Sequence, residues 1–202
     1  MFYYLEGVVS IIENNIAVLD IGGVGYCCNT TLNTISHLET GKKARLYTYC
    51  NVKEDAFDIF GFYDLSEKRS FEMLLSVSGV GPKAAIAILS SVTPGDLALG
   101  IISENEKVLT SAPGIGKRLA QRIILELKDK IAKENKGLTF SAGDSAGFAT
   151  GSITGTKIND VSAALAVLGY TPAEINAALR GIDIENLPIE DIIKQVLKNS
   201  VK

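Results

Sequence analysis

Side chains that carry covalent or metal chemistry are scarce in this chain. Its 202 residues include one histidine, His37, three cysteines, Cys27, Cys28 and Cys50, and no tryptophan. An odd cysteine count, with two of the three adjacent, suits neither a disulfide framework nor a zinc site and predicts a reducing, cytoplasmic home. His37 stands in SHLET with no cysteine or acidic cluster, which predicts a surface residue. No Ser-His-Asp, Cys-His or metal-ligand constellation is present, nor a Gly-x-x-x-x-Gly-Lys-Ser/Thr loop for ATP phosphates. The expectation is a chain with no active site, no cofactor and no metal. Long apolar runs are missing too. None approaches the ~20 residues that span a bilayer, and MFYYLEGVV lacks the basic start and apolar core of a signal peptide. Positive charge is not in surplus: 20 Lys and Arg against 23 Asp and Glu give a net charge of −3 and a pI of about 5.3. Any nucleic-acid binding must therefore come from a local patch.

What the chain does have is organisation. Residues 1–63 read as β: FYYLEGVV, IAVLDI, GYCCNT, ARLYTYCNV and AFDIFGF are short runs rich in Val, Ile, Tyr and Phe. Turn signals at Asn14-Asn15, Gly22-Gly23 and Thr40-Gly41 separate them. Five strands with little helix between them predict a small closed barrel, of which the OB-fold is one solution. Gly22, Gly23 and Gly25 lack dinucleotide-binding spacing and read as a tight strand connection.

From Asp64 the period becomes helical, with Asp64 or Ser66 as a cap and Phe71, Leu74 and Leu75 on one face. Further helices are expected at 82–90, 94–102, 105–110 and 117–134, completing a second unit over 64–135. Residues 136–156, KGLTFSAGDSAGFATGSITGT, have almost no large apolar side chain and predict a flexible linker. Residues 157–202 predict three short helices. Val161, Leu165 and Leu168 form one stripe, Thr171-Pro172-Ala173-Glu174 a capping box, and Ile189, Ile192, Ile193 and Val196 or Leu197 a second stripe. Such a unit is marginal when free-standing.

One pattern is written twice. SGVGPKAAIAIL at 78–89 and APGIGKRLAQRI at 112–123 each hold a Gly-apolar-Gly turn, then a basic residue, then helical spacing. Glycine permits positive φ and close backbone approach. The apolar residue, Val80 or Ile115, can plug between helices. Amides of the turn and of the next helix's first turn then point outward as an anion site, strengthened by the helix dipole. Lys83 after the first turn, and Lys117 with Arg118 after the second, add charge suited to phosphate. A plainer reading makes each turn a tight helix connection only, but two copies sharing register and basic residue favour phosphate. The last helix of this unit is locally basic: Lys117, Arg118, Arg122, Lys128, Lys130 and Lys133 outnumber Glu126 and Asp129. The late lysines read as an ordinary solvated face.

SGVGPK and PGIGK, the second leading into RLAQRIILELKDK, resemble the paired helix-hairpin-helix motifs of the RuvA family of Holliday junction branch-migration proteins. GGVGYC at 22–27, NVKEDAFDIFGF at 51–62 and VLGYTPAE at 167–174 resemble further family landmarks in the right order, so the likeness covers the whole chain. It departs at places such as Cys27-Cys28 and the linker.

The resemblance implies a multidomain α+β chain with an OB-fold barrel, a tandem helix-hairpin-helix domain and a three-helix, UBA-like C-terminal domain. It implies a homotetramer that holds a four-way DNA junction open, leaving one or two tetramers per junction undecided. The hexameric ATPase RuvB would be recruited as motor, with the resolvase RuvC as a further partner and no catalysis in this chain. DNA backbones would be held by Gly79, Val80, Gly81 and Lys83, and by Gly114, Ile115, Gly116, Lys117 and Arg118. Glu54 and Asp55, otherwise an ordinary solvated turn, would form an acidic pin at the junction's centre. Leu165, Leu168, Tyr170 and Leu197 would contact the motor, unless they are simply their own domain's core. Two other classes stay open on the residues alone. A helix-hairpin-helix DNA glycosylase would need a catalytic Lys or Asp in a base-sized pocket, and a protein-interaction scaffold would bind no DNA.

Overall fold

The computed structural model describes residues 1–136, 153–184 and 186–199. Five strands, β1 (Tyr4–Glu13), β2 (Ile16–Ile21), β3 (Val24–Asn29), β4 (Lys43–Val52) and β5 (Phe57–Phe62), close into a barrel in the order β1-β2-β3-β5-β4. All pairs are antiparallel except β3 with β5. Alternation sets the register: Leu5, Val9, Ala17, Leu19 and Leu46 point inward and are buried, and a one-residue slip would turn such a set outward. Gly22 and Gly23 take φ of +64° and +88°, the two-residue connection whose twist matches the flanking strands. A short helix, α1 (Leu32–Ser36), which periodicity did not predict, bridges β3 to β4 and is capped by Thr31. Cys28 and Cys50 are buried and Cys27 is exposed, all three as free thiols. Burial pushes the Cys28 thiol up to about 12, which makes it a poor nucleophile.

Helices follow as α2 (Leu65–Leu75), α3 (Pro82–Ser91), α4 (Pro94–Ile102), α5 (Glu106–Thr110) and α6 (Lys117–Lys136). Asp64 caps α2 by accepting from the Glu67 amide, and Ser66 donates to the same carboxylate. Phe71 of α2 reaches back to the barrel, its ring 5.1 Å from Phe60, 4.9 Å from Phe62 and 5.5 Å from Tyr49. One turn earlier, the fully buried Glu67 accepts hydrogen bonds from the Thr31 and Thr34 hydroxyls and the Asn33 amide. Burial raises its carboxyl above the usual range, against those hydrogen bonds. Aromatic packing and a buried polar knot thus fix the barrel relative to the helices.

The C-terminal helices are α7 (Ile153–Val167), α8 (Pro172–Ala178) and α9 (Ile189–Asn199). The expected linker falls largely on 137–152, outside the described residues, and its last four positions belong to α7. Rather than standing apart, α7 and α9 pack on α4, and α7 also meets α6. Their buried residues join those of α2–α6 in one continuous core. Among the described residues, no single helix is long and apolar enough to cross a membrane.

Candidate nucleic-acid interface

The two repeated stretches fold alike. In the first, Val77 N–H donates to Leu74, Val80 N–H to Val77 and Ala85 N–H to Gly81. In the second, Ala112 donates to Leu109, Ile115 to Ala112 and Ala120 to Gly116. Every position in the second set is its counterpart in the first moved by a constant offset. Val80 and Ile115 are each only 6% exposed and plug between helices as expected. Their amides close the turn internally, however, so the expectation that every amide of the turn faces outward is corrected at these two residues. The amides of Gly79, Gly81, Gly114 and Gly116 have no protein acceptor among the described residues. Those of the first turns of α3 and α6 lack intrahelical acceptors by construction.

The two glycines of each turn play different parts. Gly79 and Gly114 take φ of +87° and +79° and are glycine for conformational reasons. Gly81 has φ −93° and ψ 173°, which any residue adopts. A Cβ at Gly81 or Gly116 would meet nothing within 4 Å, and neither φ is positive. Nothing within the fold requires glycine there, in either copy. Both face open space at the mouth of a turn, where a methyl group would obstruct only something arriving from outside.

Lys83, Lys117 and Arg118 are exposed beside these mouths. Among the described residues Lys117 makes one long ion contact, 3.9 Å to Glu106, and its side chain is 75% exposed. Among the later basic residues of α6, Lys128 and Lys130 differ from the expectation of a plain solvated face, and the side chain of Lys133 lies outside those described. Lys128 pairs with Glu104, and Lys130 donates to Ser76 O at 3.0 Å. Those long-range partners could not be read from local sequence.

Glu54 and Asp55 lie exposed in the β4–β5 connection, closed by the Lys53 amide donating to Ala56 O at 2.8 Å. Among the described residues neither carboxylate makes an ion pair. His37 is exposed as expected, stacked on Tyr63 at 4.4 Å.

Of the four expected motor contacts, Leu165 and Leu168 are fully buried, Tyr170 is 8% exposed and Leu197 is half-buried. Tyr170 lies under the Arg69 guanidinium, 4.8 Å from its ring centre, and Arg69 also bonds Glu174 at 3.0 Å. Leu197 packs where a Cβ on Gly95 of α4 would be, at 3.6 Å. Tyr170 and Leu197 thus face the central helices in this conformation.

Residues 1–61 match the profile of the RuvA N terminal domain, 71–129 that of the SAM-like helix-hairpin-helix tandem, and 156–201 that of the RuvA C-terminal domain. Together these cover most of the chain in a single order. The chain belongs to the RuvA family. It is 45% identical over 199 residues, 98% of each chain, to the Holliday junction branch migration complex subunit RuvA of Acetivibrio thermocellus. The proteins of that name from Ruminiclostridium cellulolyticum and Thermoanaerobacter sp. strain X514 are both 41% identical, over 98% and 100% of this chain respectively. The family's OB-fold barrel, helix-hairpin-helix tandem and C-terminal domain correspond to the three parts described above, and the chain is a branch migration complex subunit by family.

Proposed function

We propose that the two glycine turns grip phosphate backbones of a four-way DNA junction, and that the chain acts as a non-catalytic, sequence-independent junction-binding subunit. The observation that carries this reading is the pair Gly81 and Gly116, glycines the fold does not need at the mouths of two turns with the same hydrogen-bond pattern. Outward amides recognise phosphate by hydrogen bonding, and Lys83, Lys117 and Arg118 supply charge. Contacts of this kind position a duplex without reading bases, so selectivity must come from DNA shape. One pair of turns per protomer is a weak grip. A homotetramer repeats it fourfold and gains affinity by multivalency.

In that assembly the exposed Glu54 and Asp55 sit at the crossover and repel phosphates. They keep strands apart rather than binding them. The C-terminal helices recruit the motor ATPase RuvB through Leu165, Leu168, Tyr170 and Leu197, with RuvC as a further partner. Their packing on α2 and α4 supports a unit that must loosen before Tyr170 and Leu197 are offered. The cavity lined by Thr93–Asp96 with α9 and the one lined by Arg69 with α8 border neither glycine turn, so neither of these two is the base-sized pocket a glycosylase needs beside its hairpin.

The test is to add a four-way junction to labelled protein and follow backbone amide resonances. Those of Gly79, Gly81, Gly114 and Gly116 should shift together. Junction binding that leaves all four unmoved would overturn the reading.

A further inference from the structure

The exposed face of α6 follows the second glycine turn but reaches back to the first. Arg122, Glu126 and Lys130 recur at four-residue spacing and so stack along one side of the helix. Lys130 Nζ donates to the Ser76 carbonyl at 3.0 Å and to its hydroxyl, while Glu126 Oε2 accepts from the Ser78 amide at 3.1 Å. Arg122 Nη1 approaches the Ser78 carbonyl at 3.4 Å and lies 3.4 Å from the position of a Cβ on Gly79. Ser76 to Ser78 form the short segment that delivers α2 into the first turn. Three side chains of the second hairpin's helix therefore hold the backbone of the first.

Glu126 is the unexpected member. A carboxylate beside a phosphate-binding turn repels the ligand, so electrostatics alone argues against it. Its place on the Ser78 N–H, the residue before Gly79, offers a compensating role. We propose that Glu126 is a positioning residue for junction binding: it fixes the Ser78 amide so that Gly79 holds its left-handed φ and the first turn keeps its free amides aimed outward. Arg122 and Lys130 complete the brace on the carbonyl side. The second hairpin thereby sets the first, and the two act as one rigid clamp. This inference rests on the phosphate-gripping reading of the turns.

Charge and positioning predict opposite signs for one substitution, which makes the inference testable. Glu126 is only partly buried, so Ala and Gln are both tolerated by the fold. If its charge alone matters, Glu126→Ala and Glu126→Gln both tighten junction binding, as Asp129→Ala should on the same helix. If it braces the turn, the Gln carbonyl still accepts from Ser78 and Glu126→Gln binds at least as tightly as wild type. Glu126→Ala should then weaken binding roughly two- to tenfold, the loss expected for one hydrogen bond. Amide hydrogen exchange in the DNA-free protein gives a second readout: Ser78 and Val80, the two hydrogen-bonded amides of this segment, should exchange faster in Glu126→Ala and not in Glu126→Gln. Glu126→Ala binding at or above wild-type affinity overturns the proposal, and so does unaltered exchange. A wild-type chain that ignores junctions would instead overturn the interface reading, which exchange does not depend on.

Discussion

Replacing Gly81 and Gly116 together by alanine should leave the protein folded and deprive it of DNA. Gly81 is the N-cap of α3, with φ −93° and no side-chain cap bond. Alanine fits that backbone and stabilises by about 0.4–1 kcal/mol by restricting the unfolded chain. Alanine is a poorer N-cap than glycine by a comparable amount, about 0.5–1 kcal/mol. The two effects offset, and no steric clash is added, because a Cβ at either site meets nothing within 4 Å. The double variant should lie within about 1 kcal/mol of wild type, a Tm change of about 2–4 °C at most. Binding behaves otherwise. A methyl group at the mouth of each turn holds a phosphate away from the amides, and a hydrogen bond to a charged group contributes about 1.5–3 kcal/mol. That is about ten- to a hundredfold in affinity per turn. Thermal melting by circular dichroism and anisotropy of a labelled junction measure the two quantities. The control is Gly79→Ala with Gly114→Ala, where φ of +87° and +79° costs alanine about 1–2 kcal/mol each and should lower Tm visibly. Wild-type junction affinity in a folded Gly81→Ala, Gly116→Ala chain would refute the reasoning.

Glu54→Lys with Asp55→Lys should strengthen binding to linear duplex and erode the preference for junctions in competition assays; loss of all DNA binding in a folded tetramer would contradict the proposed pin. A chain ending at Lys136 should still bind junctions but fail to stimulate the motor's ATPase, and Arg69→Ala, which removes the contacts to Tyr170 and Glu174, should ease motor binding without weakening DNA binding. Normal stimulation by the truncated chain would place the motor contact elsewhere. The Glu67 carboxyl is raised above 4.5 by burial, so the folded state holds its proton more tightly than the unfolded state does. That contribution is complete below about pH 4.5 and is lost as pH rises through the folded value. Glu67→Gln should therefore gain stability relative to wild type as pH rises from 4 to 7 in urea titrations; parallel stability curves would show that Glu67 titrates normally.

The strands were legible because alternation and turn residues are local signals, and the barrel's five runs needed nothing further. The same holds for the α3 and α4 starts, where Pro82 and Pro94 open the helices. Helix α1 leaves no periodic signal because five residues are too few to display a period. The repeated turn was visible in sequence, yet the division of labour between Gly79 and Gly81 was not, since it depends on φ and on which atoms surround each residue. Long-range polar contacts were the least legible. Lys130 looked like a solvated lysine and is occupied on Ser76. Glu67 gives no local signal of its own and is buried against the Thr31 and Thr34 hydroxyls. The docking of the C-terminal helices brings together residues such as Arg69 and Glu174, 105 positions apart, which no local pattern connects.

The most direct test of the central claim is competition between a four-way junction and a linear duplex of matched sequence for the purified full-length chain, repeated across a salt series. A clear preference for the junction is expected. Affinity should also fall steeply with salt, with each neutralised phosphate contributing about −0.9 to the log–log slope, and Lys117→Ala with Arg118→Ala should show a shallower slope. Equal affinity for the two DNAs, or an affinity indifferent to salt, would contradict that claim.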